Sequence, residues 1–217
     1  LWQDAALSPE QRAQALLRAM TLEEKAGQVS QQFMFGEFDQ FAPVVRDSKV
    51  GSLLFVTDPA VINRLQKVAV EQTRLKIPLI FGYDVIHGFR TIFPVPIGNA
   101  ASWDPASVER SQAIAAAAAR AVGIHWAFAP MLDIARDPRW GRIVEGPGED
   151  PFLGAAMARA QVRGFQGPAI GSPGHIIAGP KHFAGYATAE GGRDYDSVYI
   201  SDTQLYNVIL KKLEAAV

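Results

Sequence analysis

The 217 residues carry 21 Lys and Arg against 22 Asp and Glu, a formal net charge of -1, and 48% of them are apolar. That is the make-up of a globular domain with a large core, and it lacks the basic footprint that binding a phosphate backbone demands, so small neutral substrates suit it better than nucleic acid. The absence of cysteine excludes disulfides, a thiolate nucleophile and Cys-ligated metals, and no apolar run approaches the roughly 20 residues of a membrane span.

The opening residues "LWQDAALSPE" do not read as a signal peptide. Helix starts then follow in legible form. Ser8 precedes Pro9 with Gln11 three positions on, and Thr21 is followed by Glu24; both patterns are capping boxes, in which side chains satisfy the free N–H groups of a first helical turn. Asp58-Pro59, Asp104-Pro105 and Asp150-Pro151 repeat one device: Asp caps, Pro takes a position that needs no N–H, and the acid favours the positive helix end. The three helices are predicted to run to about Lys76, Ala121 and Phe165, with Gly123 and Gly167 as stops after the second and third. Between helices lie the short apolar runs "QVSQQF", "GSLLFV", "IPLIFGYD", "HWAFAP" and "IIAGPKHF", whose near-continuous hydrophobicity predicts strands buried on both faces of a parallel sheet. A last helix is predicted from about Thr203, with Leu205, Val208, Ile209, Leu213 and Ala216 on one stripe.

Alternating strands and helices of this kind make an α/β fold, either an open doubly wound sheet or a closed (β/α)8 barrel. Neither G-x-G-x-x-G nor G-x-x-x-x-G-K-[ST] occurs, which argues against a doubly wound nucleotide binder. Polar residues instead recur after successive strands: Asp84, Asp133, then Lys181 and His182. In a barrel those ends share the face on which active sites are built. The expected architecture is therefore a (β/α)8 TIM-like barrel, incomplete in this chain, since five βα units fill 217 residues where a full barrel takes about 250. Residues 1–217 are accordingly expected to be a piece of something larger, since an unclosed barrel leaves bare strand edges that further chain must cover.

The stretch "IAGPKHFAGYATAEGGRDY" places a lysine and a histidine at the mouth of a strand and runs into glycines around Arg193 and Asp194. A core strand avoids such groups, because unpaired buried charge is costly. Consecutive residues of a regular strand point to opposite faces, so Lys181 and His182 can both serve one pocket only if the backbone departs from regularity at 181–183. Asp84 is either a loop carboxylate capping backbone N–H groups or an acceptor for two neighbouring sugar hydroxyls. In "DIARDPRWGRIVEGPGEDP", Asp137, Arg139 and Glu145 read as structural. Arg142 is the ligand candidate, since its planar fork donates to two oxygens at once. Trp140 reads as core in preference to a sugar-stacking face. The four histidines show no H-E-x-x-H spacing and no serine sits in G-x-S-x-G, so neither a hydrolytic metal site nor a serine triad is expected.

The segments "MTLEEKAGQ", "FGYDVIHG", "FAPMLDIARDPRWGRIVEGPGEDP" and "KHFAGY" with "EGGRDY" resemble family 3 glycoside hydrolases of the bacterial β-glucosidase branch, from about Leu7 to the last residue. The resemblance implies an N-terminal (β/α)8-like barrel, an α/β sandwich domain beyond it, and cofactor-free retaining hydrolysis of terminal β-linked glucose. It implies that Asp84, Arg142, Lys181 and His182 line the subsite for the non-reducing glucose, with Arg193 and Asp194 shaping the same pocket. It further implies a β-glucoside or oligosaccharide substrate, and a periplasmic or secreted location. The sub-branch for N-acetylglucosamine carries an Asp-x-His after the "KHF" loop, where this chain reads "EGGRDYDS", which points to glucosides. The family's nucleophile is an Asp after Ser, but Ser201-Asp202 is followed at once by an amphipathic pattern and reads as a helix cap. Nucleophile and acid/base Glu are thus expected beyond Val217, with no catalytic carboxylate in this chain. The alternatives are a non-catalytic carbohydrate-binding or scaffold fragment, or a β-xylosidase or β-N-acetylglucosaminidase of the same family.

Overall fold

The computed structural model describes residues 2–217 and divides the chain into two compact units, one ending at Gly82 and one running from Tyr83 to Val217. The first contains α1 (Pro9–Ala19), α2 (Leu22–Gln28), β1 (Gln31–Phe33), α3 (Phe38–Arg46), β2 (Ser52–Leu54), α4 (Pro59–Gln72) and most of β3 (Ile80–Tyr83). Both capping boxes form: Ser8 Oγ accepts from the Gln11 N–H and Thr21 Oγ1 from the Glu24 N–H, each at 3.2 Å. The strands pair in parallel, with Gln31 opposite Ser52 and Ser52 opposite Ile80. Leu53 and Phe81, fully buried, meet Leu65, Ile62 and Val68 of α4, so the alternation of strand and amphipathic helix makes this core. Gly51 lets the chain pass close to α2, because a Cβ there would strike the Gln28 carbonyl.

The second unit contains the end of β3, α5 (Pro96–Ala101), α6 (Pro105–Ala121), β4 (Trp126–Ala127), α7 (Pro151–Gln166), β5 (Ile177–Ala178), α8 (Asp202–Gln204), a π-turn at Leu205–Ile209 and α9 (Leu210–Ala216). The Tyr83 carbonyl accepts from the Phe128 N–H at 3.0 Å, and β4 pairs in parallel with β5, Trp126 opposite Ile177. Ala115, Ala116 and Ala119 of α6 pack with Phe165 of α7 around Ile124 and Ala127. Small residues allow that approach; at Gly164 of α7 a Cβ would strike the Glu109 carbonyl.

All three Asp-Pro starts are realised, with Asp58, Asp104 and Asp150 accepting from the N–H groups of Ala60, Ser107 and Leu153. All five predicted strands are present and parallel where paired, as in part of a (β/α)8 barrel. Three local readings are corrected. Helix α4 ends at Gln72 and not near Lys76, because Thr73 turns extended and its hydroxyl bonds the Ala69 carbonyl, closing the last turn. Strand β1 is not buried on both faces, for Gln31 and Phe33 are exposed. The last helix starts as predicted, with Ser201 Oγ accepting from the Gln204 N–H at 3.2 Å. The π-turn then inserts a wider loop of backbone and rotates the following turns, so that Lys212 is buried beside Ile209 and Leu213 is only partly so.

Candidate functional site

Pairing between β4 and β5 continues beyond the strands themselves. Gly179 donates to the Ala129 carbonyl at 2.9 Å, Lys181 to that of Pro130 at 3.0 Å, and Leu132 to that of Lys181 at 2.6 Å. This ladder fixes the register in which Asp133 arrives beside His182. The Lys181-His182 and Phe183-Ala184 peptide bonds are cis. Phe183 is left exposed, while Lys181 and His182 both find carboxylates.

Lys181 Nζ lies 2.9 Å from Asp84 Oδ1. Asp84 is 43% exposed and Lys181 18%, so the carboxylate keeps an open side on which further donors can bond. Asp133, with 2% of its side chain exposed, accepts on Oδ2 from His182 Nδ1 at 2.8 Å and from the His182 N–H at 3.2 Å. A carboxylate on Nδ1 fixes the ring and leaves Nε2 for a ligand. Asp133 was visible in the sequence only as one more polar strand end; its partner is 49 residues away, a pairing that no local pattern encodes.

Tyr186 organises the other side. The His182 ring meets it edge-on at 4.6 Å, Trp140 at 5.2 Å, and the Arg142 guanidinium stands 5.5 Å from its centroid. Burial and the Asp194 carboxylate push its phenol up to about 12, and the hydroxyl donates to Asp194 Oδ1 at 2.5 Å. Trp140, buried as expected of a core residue, turns its Nε1–H to the same oxygen at 3.0 Å. These two donors hold the Asp194 carboxyl below the usual carboxylate range. Arg142 uses its fork on Glu145, with Nε and Nη2 at 2.7 and 2.9 Å from the two carboxylate oxygens, an embrace that raises the guanidinium and lowers the carboxyl. The Lys181 ammonium also acts on Glu145 through its charge, so Glu145 belongs to the same field.

Asp84, Lys181, His182, Arg142 and Asp194 are thus linked through Asp133, Tyr186, Trp140 and Glu145 into one array. Arg193 turns away from it: its side chain is 68% exposed and its Nε bonds Asp196 at 2.6 Å. The array is an open rim. Two larger cavities in this unit, of about 540 and 530 Å3, lie along helix surfaces and are lined by none of these residues. Among the described residues no His, Cys, Asp and Glu cluster could hold a metal ion, and no helix is long and apolar enough to cross a membrane.

The rim offers carboxylate acceptors and cationic donors of the kind that bond hydroxyl groups. Residues 21–217 match the model described as glycosyl hydrolase family 3 N terminal domain. The chain is 36% identical over 206 residues to the periplasmic beta-glucosidase of Salmonella typhimurium, covering 93% of this chain and 27% of that protein. It is 34% identical to a putative beta-xylosidase of Formosa agariphila, over 100% of this chain and 32% of that one. Among solved structures, the beta-glucosidase from Listeria innocua in complex with glucose superposes with a TM-score of 0.89 at 36% identity, covering 96% of this chain and 31% of that chain. The chain therefore spans about a third or less of the length of these relatives, and it belongs to glycosyl hydrolase family 3.

Proposed function

We propose that the chain supplies the glucose-gripping subsite of a retaining, exo-acting β-glucosidase. The observation that carries this reading is the pairing of Lys181 with Asp84 and of His182 with Asp133 on consecutive residues of one segment. Asp84 accepts from two adjacent hydroxyls of the terminal sugar while Lys181 holds it in place, and His182 Nε2 and the remaining donors of Arg142 reach neighbouring hydroxyls. Such bonds tighten as the ring flattens toward an oxocarbenium-like state, so they contribute to rate as well as to binding.

Retaining hydrolysis needs two carboxyl groups about 5 to 5.5 Å apart, one attacking the anomeric carbon and one delivering a proton. The carboxylates of this rim are engaged: Asp84 by Lys181, Asp133 by His182, Glu145 by Arg142 and Asp194 by Tyr186 and Trp140. Asp202 lies in the first turn of α8 behind its Ser201 cap. The attacking carboxylate and the acid/base are accordingly supplied by polypeptide other than residues 1–217, with export to the periplasm supported by the names of the Salmonella typhimurium and Dickeya chrysanthemi relatives. A β-xyloside specificity is the second reading, favoured by the relatives named beta-xylosidase. Hydrolysis of aryl β-glucosides and β-xylosides by the full polypeptide that carries this chain separates the two. Faster turnover of the glucoside is expected; faster turnover of the xyloside selects the second reading, and turnover of neither overturns both.

A further inference from the structure

Of the four residues Tyr83 to Ile86 at the end of β3, three pack into one apolar cluster. Val85, 2% exposed, belongs to it together with Ala115, Ala116 and Ala119 of α6, Ile124 and Ala127, and Tyr83 and Ile86 pack against it. Asp84 is the exception, its carboxylate 43% exposed and 2.9 Å from Lys181 Nζ. An extended chain does not produce this arrangement. Successive side chains of a strand point to opposite faces, so a backbone that stayed extended would return Ile86 to the face of Asp84 and stand an apolar side chain beside the carboxylate. The chain instead turns at Val85, whose φ is 46°.

That angle is foreign to a β-branched residue, whose two γ carbons crowd the backbone in the left-handed region. Ser48, Phe55, Lys76, Trp103 and Tyr195 share a positive φ, but none of them is β-branched and none is buried. Glycine takes such a turn without strain. Valine holds it here because its side chain is fixed in the cluster, and strain that packing over-determines in this way gathers at functional sites. On the other side of Asp84, the Tyr83 carbonyl accepts from the Phe128 N–H at 3.0 Å. Both neighbours of the aspartate are therefore anchored, and its side-chain torsions are left for Lys181 to fix.

We propose that Val85 is a positioning residue for the sugar site: its left-handed turn takes Ile86 into the cluster and holds the open side of the Asp84 carboxylate clear for a sugar hydroxyl. The proposal rests on the sugar-site reading for what Asp84 binds, whereas the hold on the Asp84–Lys181 pair is readable without sugar. The test compares kcat/KM for an aryl β-glucoside among variants of the full polypeptide. Val85→Gly is expected to lower it by about tenfold, the size of one charge-assisted bond. Ile124→Ala, which removes the same number of carbons from the same cluster, should leave it unchanged. In an Asp84→Ala background, Val85→Gly should lower it no further. Parent-like turnover by Val85→Gly, an equal loss in Ile124→Ala, or an undiminished loss without Asp84 would each overturn the proposal. If Val85→Gly does not fold, Val85→Ala is read in the same way. If Asp84→Ala turns over the glucoside as the parent does, or the parent turns over none, the sugar reading of Asp84 falls. The exchange of the Lys181 ammonium protons with water, followed by 15N NMR, then decides: faster exchange in Val85→Gly than in the parent supports the positioning role, and equal rates overturn it.

Discussion

At the ends of β1 and β2 the first unit presents Phe33, Phe35 and Phe55, three rings whose centroids are 5.6 to 5.8 Å apart, with Phe33 and Phe35 exposed. At the corresponding ends of β3, β4 and β5 the second unit presents Asp84, Asp133, Lys181 and His182, joined in two charge pairs. The first unit has ion pairs too, but Lys49–Asp47 and Arg74–Glu24 lie at the surface, where such pairs are worth little. A βα architecture thus supplies strand ends in both units. Among the described residues, only in the second unit is a strand-end carboxylate, that of Asp84, held by a partner while one side stays open.

The contrast is broken or sharpened by substitutions that separate stability from chemistry. Leu53→Ala, in the first unit's core, is expected to lower unfolding free energy by about 2 to 5 kcal/mol in a denaturant titration. It should leave the KM for an aryl β-glucoside where it was. Asp84→Ala should do the reverse, with little change in denaturant midpoint and a fall in kcat/KM of roughly 100-fold, the size of two charge-assisted bonds lost. Lys212 should leave its mark on pH dependence. Burial holds it at about 7 in the folded protein against an ordinary value of 10.5, so the unfolded chain binds more protons between those values and stability rises with pH across that window. Lys212→Met should abolish the rise; a midpoint that climbs as before from about pH 7 to about pH 10 would assign it to another group. Smallest and alike in both units, Asp58→Ala and Asp150→Ala should each cost about 1 kcal/mol, because each removes the same kind of Asp-Pro cap.

The caps were legible because their chemistry is local: an acid, a proline and the next N–H groups lie within four residues. The parallel strands were legible for a similar reason, as apolar runs bounded by helix starts. The limits were equally physical. The end of α4 depended on one hydroxyl turning back to Ala69, and the burial of Lys212 on a π-turn that shifts the helix face, neither of which periodicity registers. In the site, Asp84, Lys181 and His182 stood out as charges where a strand should be apolar. Their organiser Tyr186 and their support Asp133 did not, since a tyrosine after a glycine and an acid after a strand are common, and only tertiary pairing gives them roles. Arg193 shows the converse: beside Asp194 in sequence, its side chain goes to Asp196.

The most direct test is a crystal structure of the full polypeptide grown with glucose. The account predicts one sugar ring at the rim, with adjacent hydroxyls within hydrogen-bond distance of Asp84 and others on Lys181 and His182 Nε2. A glucose bound with these three side chains out of reach would contradict it.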